Sequence, residues 1–154
     1  MNSPTSTLIS DDGAFLEALR NGLRADKHRV LDTRASSEAG QWRTARTPYL
    51  KEIMNNLSAD SPVHKVVVMA GAQIGKTETG NNWLGYVIDH APGPMLAVQP
   101  TTTMAKRFSN QRLDPLIAGS DRLSTKIPPA RQRDSGNTAL SKEFPGGILV
   151  LTGA

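Results

Sequence analysis

The stretch VVVMAGAQIGKTETG, residues 66–80, constrains this chain more than any other. Apolar, mostly β-branched residues run into a small-residue loop that closes on Gly75-Lys76-Thr77. A strand over 65–70, a loop and a helix from about 76 to 90 are expected. That order suits an anion. Backbone N–H groups at a helix start point toward it, and the helix dipole favours its charge. Gly75 lets the chain turn without a Cβ in the way. Lys76 has the reach for β and γ phosphates, and the Thr77 hydroxyl suits Mg²⁺. The usual pattern, G-x-x-x-x-G-K-[ST], is broken at its first position, which is Ala70, with Gly71 one place on. Nucleotide binding is expected, and ATP with Mg²⁺ is the expected ligand pair.

The surrounding chain reads as α/β with a mainly parallel sheet and flanking helices. Residues 1–39 read as an N-terminal helical segment and linker, and 40–154 as the nucleotide-binding unit. A helix is expected over 11–31, capped by Asp11 or Asp12, with Phe15, Leu16, Leu19 and Leu23 on one face. A second is expected over 47–58, capped by Thr47, with Leu50, Ile53, Met54 and Leu57 apolar. A strand at 95–100 and a helix at about 102–117 follow, the latter capped by Thr101 or Thr102. The segment rich in Pro, Arg and Asp beyond it reads as loop. Two strands should form a hairpin around Phe144-Pro145-Gly146-Gly147.

With 154 residues, a net charge of +4 and no cysteine, the chain suits one domain with an anionic partner and no disulfide or thiolate metal site. No apolar run nears the roughly 18 residues of a membrane span, and the polar start is no signal peptide. A soluble intracellular protein without membrane contact is expected.

Other side chains carry two readings each. Gln41 and Tyr49, upstream of the loop, suit adenine, one by hydrogen bonding and one by stacking. Trp42 and Tyr49 equally suit packing of the helix on the sheet. Lys106, Arg107 and Arg112, with Arg122, Lys126, Arg131 and Arg133, suit DNA phosphates or a solvated face. Phe108 and Leu113 suit the core. Glu78 suits a neighbouring subunit or the positive helix end. His28, His64 and His90 lack paired ligand spacing. ATP hydrolysis needs an acidic residue at a strand end to place Mg²⁺ and polarise water, and no apolar strand here ends so.

Four ordered pieces, GQWRTARTPYLKEIM, VVVMAGAQIGKTE, LAVQPTTTMAKRFSNQRLDPLI and FPGGILVLTGA, resemble the large terminase subunit of tailed bacteriophages, in its lambda-like branch. The resemblance spans roughly residues 40–154 and implies a RecA/helicase-like P-loop NTPase fold. It implies an ATP-driven motor that packages double-stranded DNA through the capsid portal, joined to a nuclease that cuts concatemers. Its partners would be viral DNA, the small terminase subunit, the portal of the procapsid and further copies of itself, in the host cytoplasm. The small subunit would be met through the N-terminal segment. The resemblance implies phosphate and Mg²⁺ binding by Gly75, Lys76 and Thr77, with Gly71, Ile74 and Glu78 in the same loop region. Gln73 becomes a candidate γ-phosphate sensor, and Gln41 and Tyr49 candidate adenine contacts. The family's acidic strand would follow LVLTGA. The sequence is therefore read as a truncated ATPase domain that hydrolyses ATP poorly by itself, with an exposed edge and apolar face at its last strand. A helicase of the SF2-like class, or a non-catalytic nucleotide-binding prophage product, are the alternatives.

Overall fold

The computed structural model describes residues 21–33, 38–128 and 136–154. Helix α1 (Asn21–His28) leads into a two-residue strand β1 (Val30–Leu31), which pairs antiparallel with β2 (Gly40–Gln41). The expected first helix thus ends before Val30, and its cap and the apolar positions before residue 21 lie outside the described residues. A 3-10 turn at Pro48–Leu50 feeds α2 (Lys51–Asn56). Leu50 and Met54 are fully buried, as their spacing predicts. Thr47 precedes this turn at its N-terminal cap position, but its hydroxyl makes no capping hydrogen bond.

The long helix α3 (Lys76–Asp89) follows the phosphate-type loop as expected. After it come β3 (Met95–Gln99) and α4 (Thr102–Phe108), whose Met104 N–H donates to Thr101 Oγ1 at 3.2 Å, so Thr101 is the cap. The expected single helix beyond is broken. Ser109–Leu113 opens into a wide π turn before α5 (Asp114–Ala118), with Pro115 unable to donate an N–H at the junction. Residues 121–126, expected as loop, form α6 (Asp121–Lys126), because Leu123 and Ile127 have a core to cover. The hairpin is as read: β4 (Ser141–Phe144) and β5 (Gly147–Gly153) flank Pro145-Gly146, with Gly146 at φ 87°.

The sheet corrects two expectations. It has the order β3-β5-β4, with β3 parallel and β4 antiparallel to β5, so it is mixed and not mainly parallel. The last strand is central, not an edge. The segment 65–70 joins no ladder at all. Its backbone lacks a neighbouring strand among the described residues, and Val67 and Met69 stand 76% and 98% exposed. One sheet face packs Leu149 and Leu151 against Leu84, Ile88, Leu113 and Leu116. The opposite face leaves Leu96 and Val98 exposed. A second cluster joins Ala25, Leu31, Trp42, Leu50 and Met54. Helix α3 lies between the two clusters.

Candidate nucleotide site

The loop is built around Gly75, which starts α3 with a φ of 88°. A side chain there would meet Leu50 Cδ1 at 2.9 Å, so both backbone conformation and space require glycine. Gln73 also has a positive φ, 58°, the only such non-glycine among the described residues. A side chain held in that region needs surrounding structure to fix it. Lys76 Nζ donates to Ala70 O at 2.9 Å and also to Gly71 O, so its ammonium closes over the loop's own carbonyls. Thr77 is exposed on the first helical turn, where a metal or phosphate can reach it.

An open cleft of about 610 Å³ lies between this loop and residues 38–49. Gln41, Tyr49, Gln73, Ile74 and Gly75 line it, five of the residues singled out from sequence. That volume lies within the usual range of ligand pockets. The two aromatic residues differ in burial although both border the cleft. Trp42 is buried, with Nε1 donating to Thr44 Oγ1 at 3.0 Å, and packs the core. Tyr49 is 56% exposed and offers its ring to the cleft. Gln41 spends an amide N–H on Asp26 O at 2.7 Å, which ties the cleft wall to α1. Arg43 and Arg46 also border the cleft. Neither was singled out from sequence, because a short Arg-containing turn has no periodicity to mark its direction.

Glu78 stands in the first turn of α3, the positive helix end that one of its two readings names, and it has a partner that the sequence does not mark. Its carboxylate is turned inward: Arg29 Nη2 donates to Oε2 at 2.7 Å, and Arg112 Nη1 stands 3.8 Å from Oε1. Arg29 Nε also donates to Asn82 Oδ1 at 3.3 Å, one helical turn on. Burial lowers the Arg29 guanidinium from its ordinary value, and the charge and hydrogen bond of Glu78 work in the opposite direction. Glu78 is thus committed within its own chain. Arg29 lies 49 residues from Glu78 in sequence, so no local pattern pairs them.

The basic residues separate likewise. Arg107 and Arg112 line a groove beside Thr77 and Gln99; Lys106 is exposed but is not part of that groove. Arg107 Nε donates to Gln111 Oε1 at 3.0 Å. Arg122 and Lys126 instead hold Asp89, at 2.7 and 3.0 Å, so they staple α6 to the end of α3. Arg131 and Arg133 lie outside the described residues. Leu113 is fully buried and Phe108 packs against the core, as expected. His64 is exposed, and among the described residues no group of His, Cys, Asp and Glu is placed to hold a metal ion. No described helix is long and apolar enough to cross a membrane.

Comparison with curated proteins and with solved structures gives no match. The family described as phage terminase large subunit gpA, ATPase domain, matches residues 36–154, which include the loop, the Gln41–Tyr49 wall and the whole three-stranded sheet. The chain therefore belongs to the phage terminase large subunit family, a family of phage DNA-packaging ATPases, and carries its ATPase-domain sequence.

Proposed function

We propose that residues 40–154 bind ATP with Mg²⁺ in the cleft above the 70–77 loop, as the P-loop part of a motor that moves double-stranded DNA. One observation carries this reading: two separate segments, 41–49 and 73–75, border one cleft at the N-terminus of α3 through Gln41, Tyr49, Gln73, Ile74 and Gly75. In this reading the phosphates lie at that N-terminus, where N–H groups and the helix dipole favour negative charge. Lys76 exchanges the carbonyls of Ala70 and Gly71 for phosphate oxygens, a trade of neutral acceptors for charged ones. Gly71 stays open to that approach, with nothing near its Cβ position. Tyr49 stacks on the base and Gln73 reaches the terminal phosphate. The Thr77 hydroxyl would hold Mg²⁺, which supplies charge neutralisation on the phosphate oxygens.

Binding and hydrolysis separate in this chain. Glu78 is the acidic side chain nearest the loop in sequence, and its carboxylate is held by Arg29. It is not available to polarise water. Hydrolysis would call on another carboxylate to polarise the attacking water. DNA would meet the groove that Arg107 and Arg112 line, with the exposed Lys106 on the same helix as Arg107. The small subunit, the portal and further copies of the motor subunit are its expected partners in packaging.

Titration with a fluorescent ATP analogue and Mg²⁺ tests the reading. Lys76→Ala should weaken binding by at least about tenfold, the loss of a charge-assisted contact. Tyr49→Ala should cost less, about three- to tenfold for a stacked base. Wild type and Lys76→Ala binding equally would contradict the proposal.

A further inference from the structure

A carboxylate is an unexpected neighbour for an anion site. Glu78 borders the same cleft as Gln73, Ile74 and Gly75, one residue beyond Thr77. An uncompensated negative charge there would oppose every phosphate that entered. The chain deals with this from outside the family-matched region, which begins at residue 36. Arg29 meets Glu78 Oε2 at 2.7 Å while its own side chain is only 8% exposed, and it lies off the nucleotide cleft. It therefore cannot touch a ligand in that cleft. Its backbone is equally fixed: the N–H donates to Ala25 O, and the carbonyl accepts from Trp42 N–H, each at 2.9 Å. Nη1 donates to Val30 O at 3.2 Å. Arg29, tied by its backbone to α1 and the cleft wall and by its guanidinium to β1, thus grips positions 78 and 82 of α3, one turn apart.

We propose that Arg29 is a positioning residue for nucleotide binding: it holds the first turn of α3 and cancels the Glu78 charge, so that the loop presents net positive potential to the phosphates. This rests on the nucleotide reading above. Its consequence concerns selectivity. Phosphate-rich ligands feel the exposed Glu78 charge more, so loss of Arg29 should lower the preference for ATP over ADP, and not merely weaken both. Arg112, at 3.8 Å and 39% exposed, is a weaker and better-hydrated counter-charge.

The test measures mant-ATP and mant-ADP affinity with Mg²⁺, beside thermal unfolding, on the 154-residue chain. Arg29→Met should lower ATP affinity by about five- to tenfold and ADP affinity by about half of that factor, as one charge in partly hydrated surroundings dictates. Removing both charges, in Arg29→Met/Glu78→Gln, should undo the roughly twofold loss and restore the wild-type ATP-over-ADP preference, and this neutral pair is the variant best able to fold. Arg29→Lys keeps the charge and loses the two-point grip, so it should weaken both nucleotides alike and leave their ratio unchanged. A purely structural Arg29 would lower the melting temperature and leave the ratio constant in all three variants, and that result overturns the proposal. Should Arg29→Met fail to fold, a double variant whose preference differs from wild type, or an Arg29→Lys variant that loses it, overturns the proposal equally. If wild type binds neither nucleotide, or Lys76→Ala binds as wild type does, the nucleotide reading itself falls and takes this one with it.

Discussion

The two flanks of the phosphate-type loop are held in opposite ways. Upstream, 66–70 reads Val-Val-Val-Met-Ala, joins no ladder and leaves Met69 98% exposed. Downstream, α3 is wedged between two clusters, with Ile88 fully buried and Glu78 and Asn82 gripped by Arg29. A third segment decides what the contrast means. Met95–Gln99 has much the same character as 66–70, yet it is a strand, because β5 lies beside it from Met95–Leu149 to Gln99–Gly153. An apolar, β-branched run sets an extended backbone. Only a neighbour satisfies its N–H and C=O groups and makes it a strand.

The contrast can be broken most forcefully from below the helix. Ile88→Ala or Leu149→Ala removes a fully buried side chain and should cost about 2–5 kcal/mol, measured by urea unfolding. Gly75→Ala comes next. The positive φ and the 2.9 Å approach to Leu50 Cδ1 should together cost about 1–3 kcal/mol. The same change should displace Lys76 and abolish fluorescent-nucleotide binding.

A smaller effect depends on pH. Burial pushes the Asp89 carboxyl up, but hydrogen bonds and charges from Arg122 and Lys126 outweigh it and hold the group below its ordinary value. A folded-state value below the unfolded one gives stability that is present above the unfolded value and is lost as pH falls through the folded one. Asp89→Asn should therefore lower the melting temperature at pH 7, and the gap to wild type should close below about pH 4. Smallest of all, Met69→Ser should leave the unfolding midpoint unchanged, since the side chain has almost no contacts to lose. It should instead reduce self-association in light scattering, as exposed apolar strand-like segments invite pairing.

What could be read from the sequence follows the same division. Local signals were sufficient for the α3 start at Gly75-Lys76, the Thr101 cap, the Pro145-Gly146 hairpin and the buried Leu50 and Met54, because each depends on a few neighbouring residues. Signals that need a partner elsewhere were not. The 65–70 run has the composition of a strand but carries no sign of a neighbour, and 121–126 carries no sign that Leu123 meets a core. Arg29 and Glu78 are legible only once α1 and α3 lie side by side. The cleft was half legible. Residue type marks Gln41 and Tyr49, but that Trp42 is buried while Tyr49 is exposed depends on Ala25, Leu31, Leu50 and Met54 meeting around the Trp42 ring.

The most direct measurement is amide hydrogen exchange across residues 60–90, with and without saturating Mg²⁺ and ATP. The account predicts slow exchange in α3 from Thr79 onward throughout, where Thr79 N–H begins the helical ladder on Gly75 O, fast exchange over 65–69 throughout, and protection of the 71–77 amides only when nucleotide is present. Unchanged exchange over 71–77 with ATP added would contradict the assignment of this loop as the phosphate site.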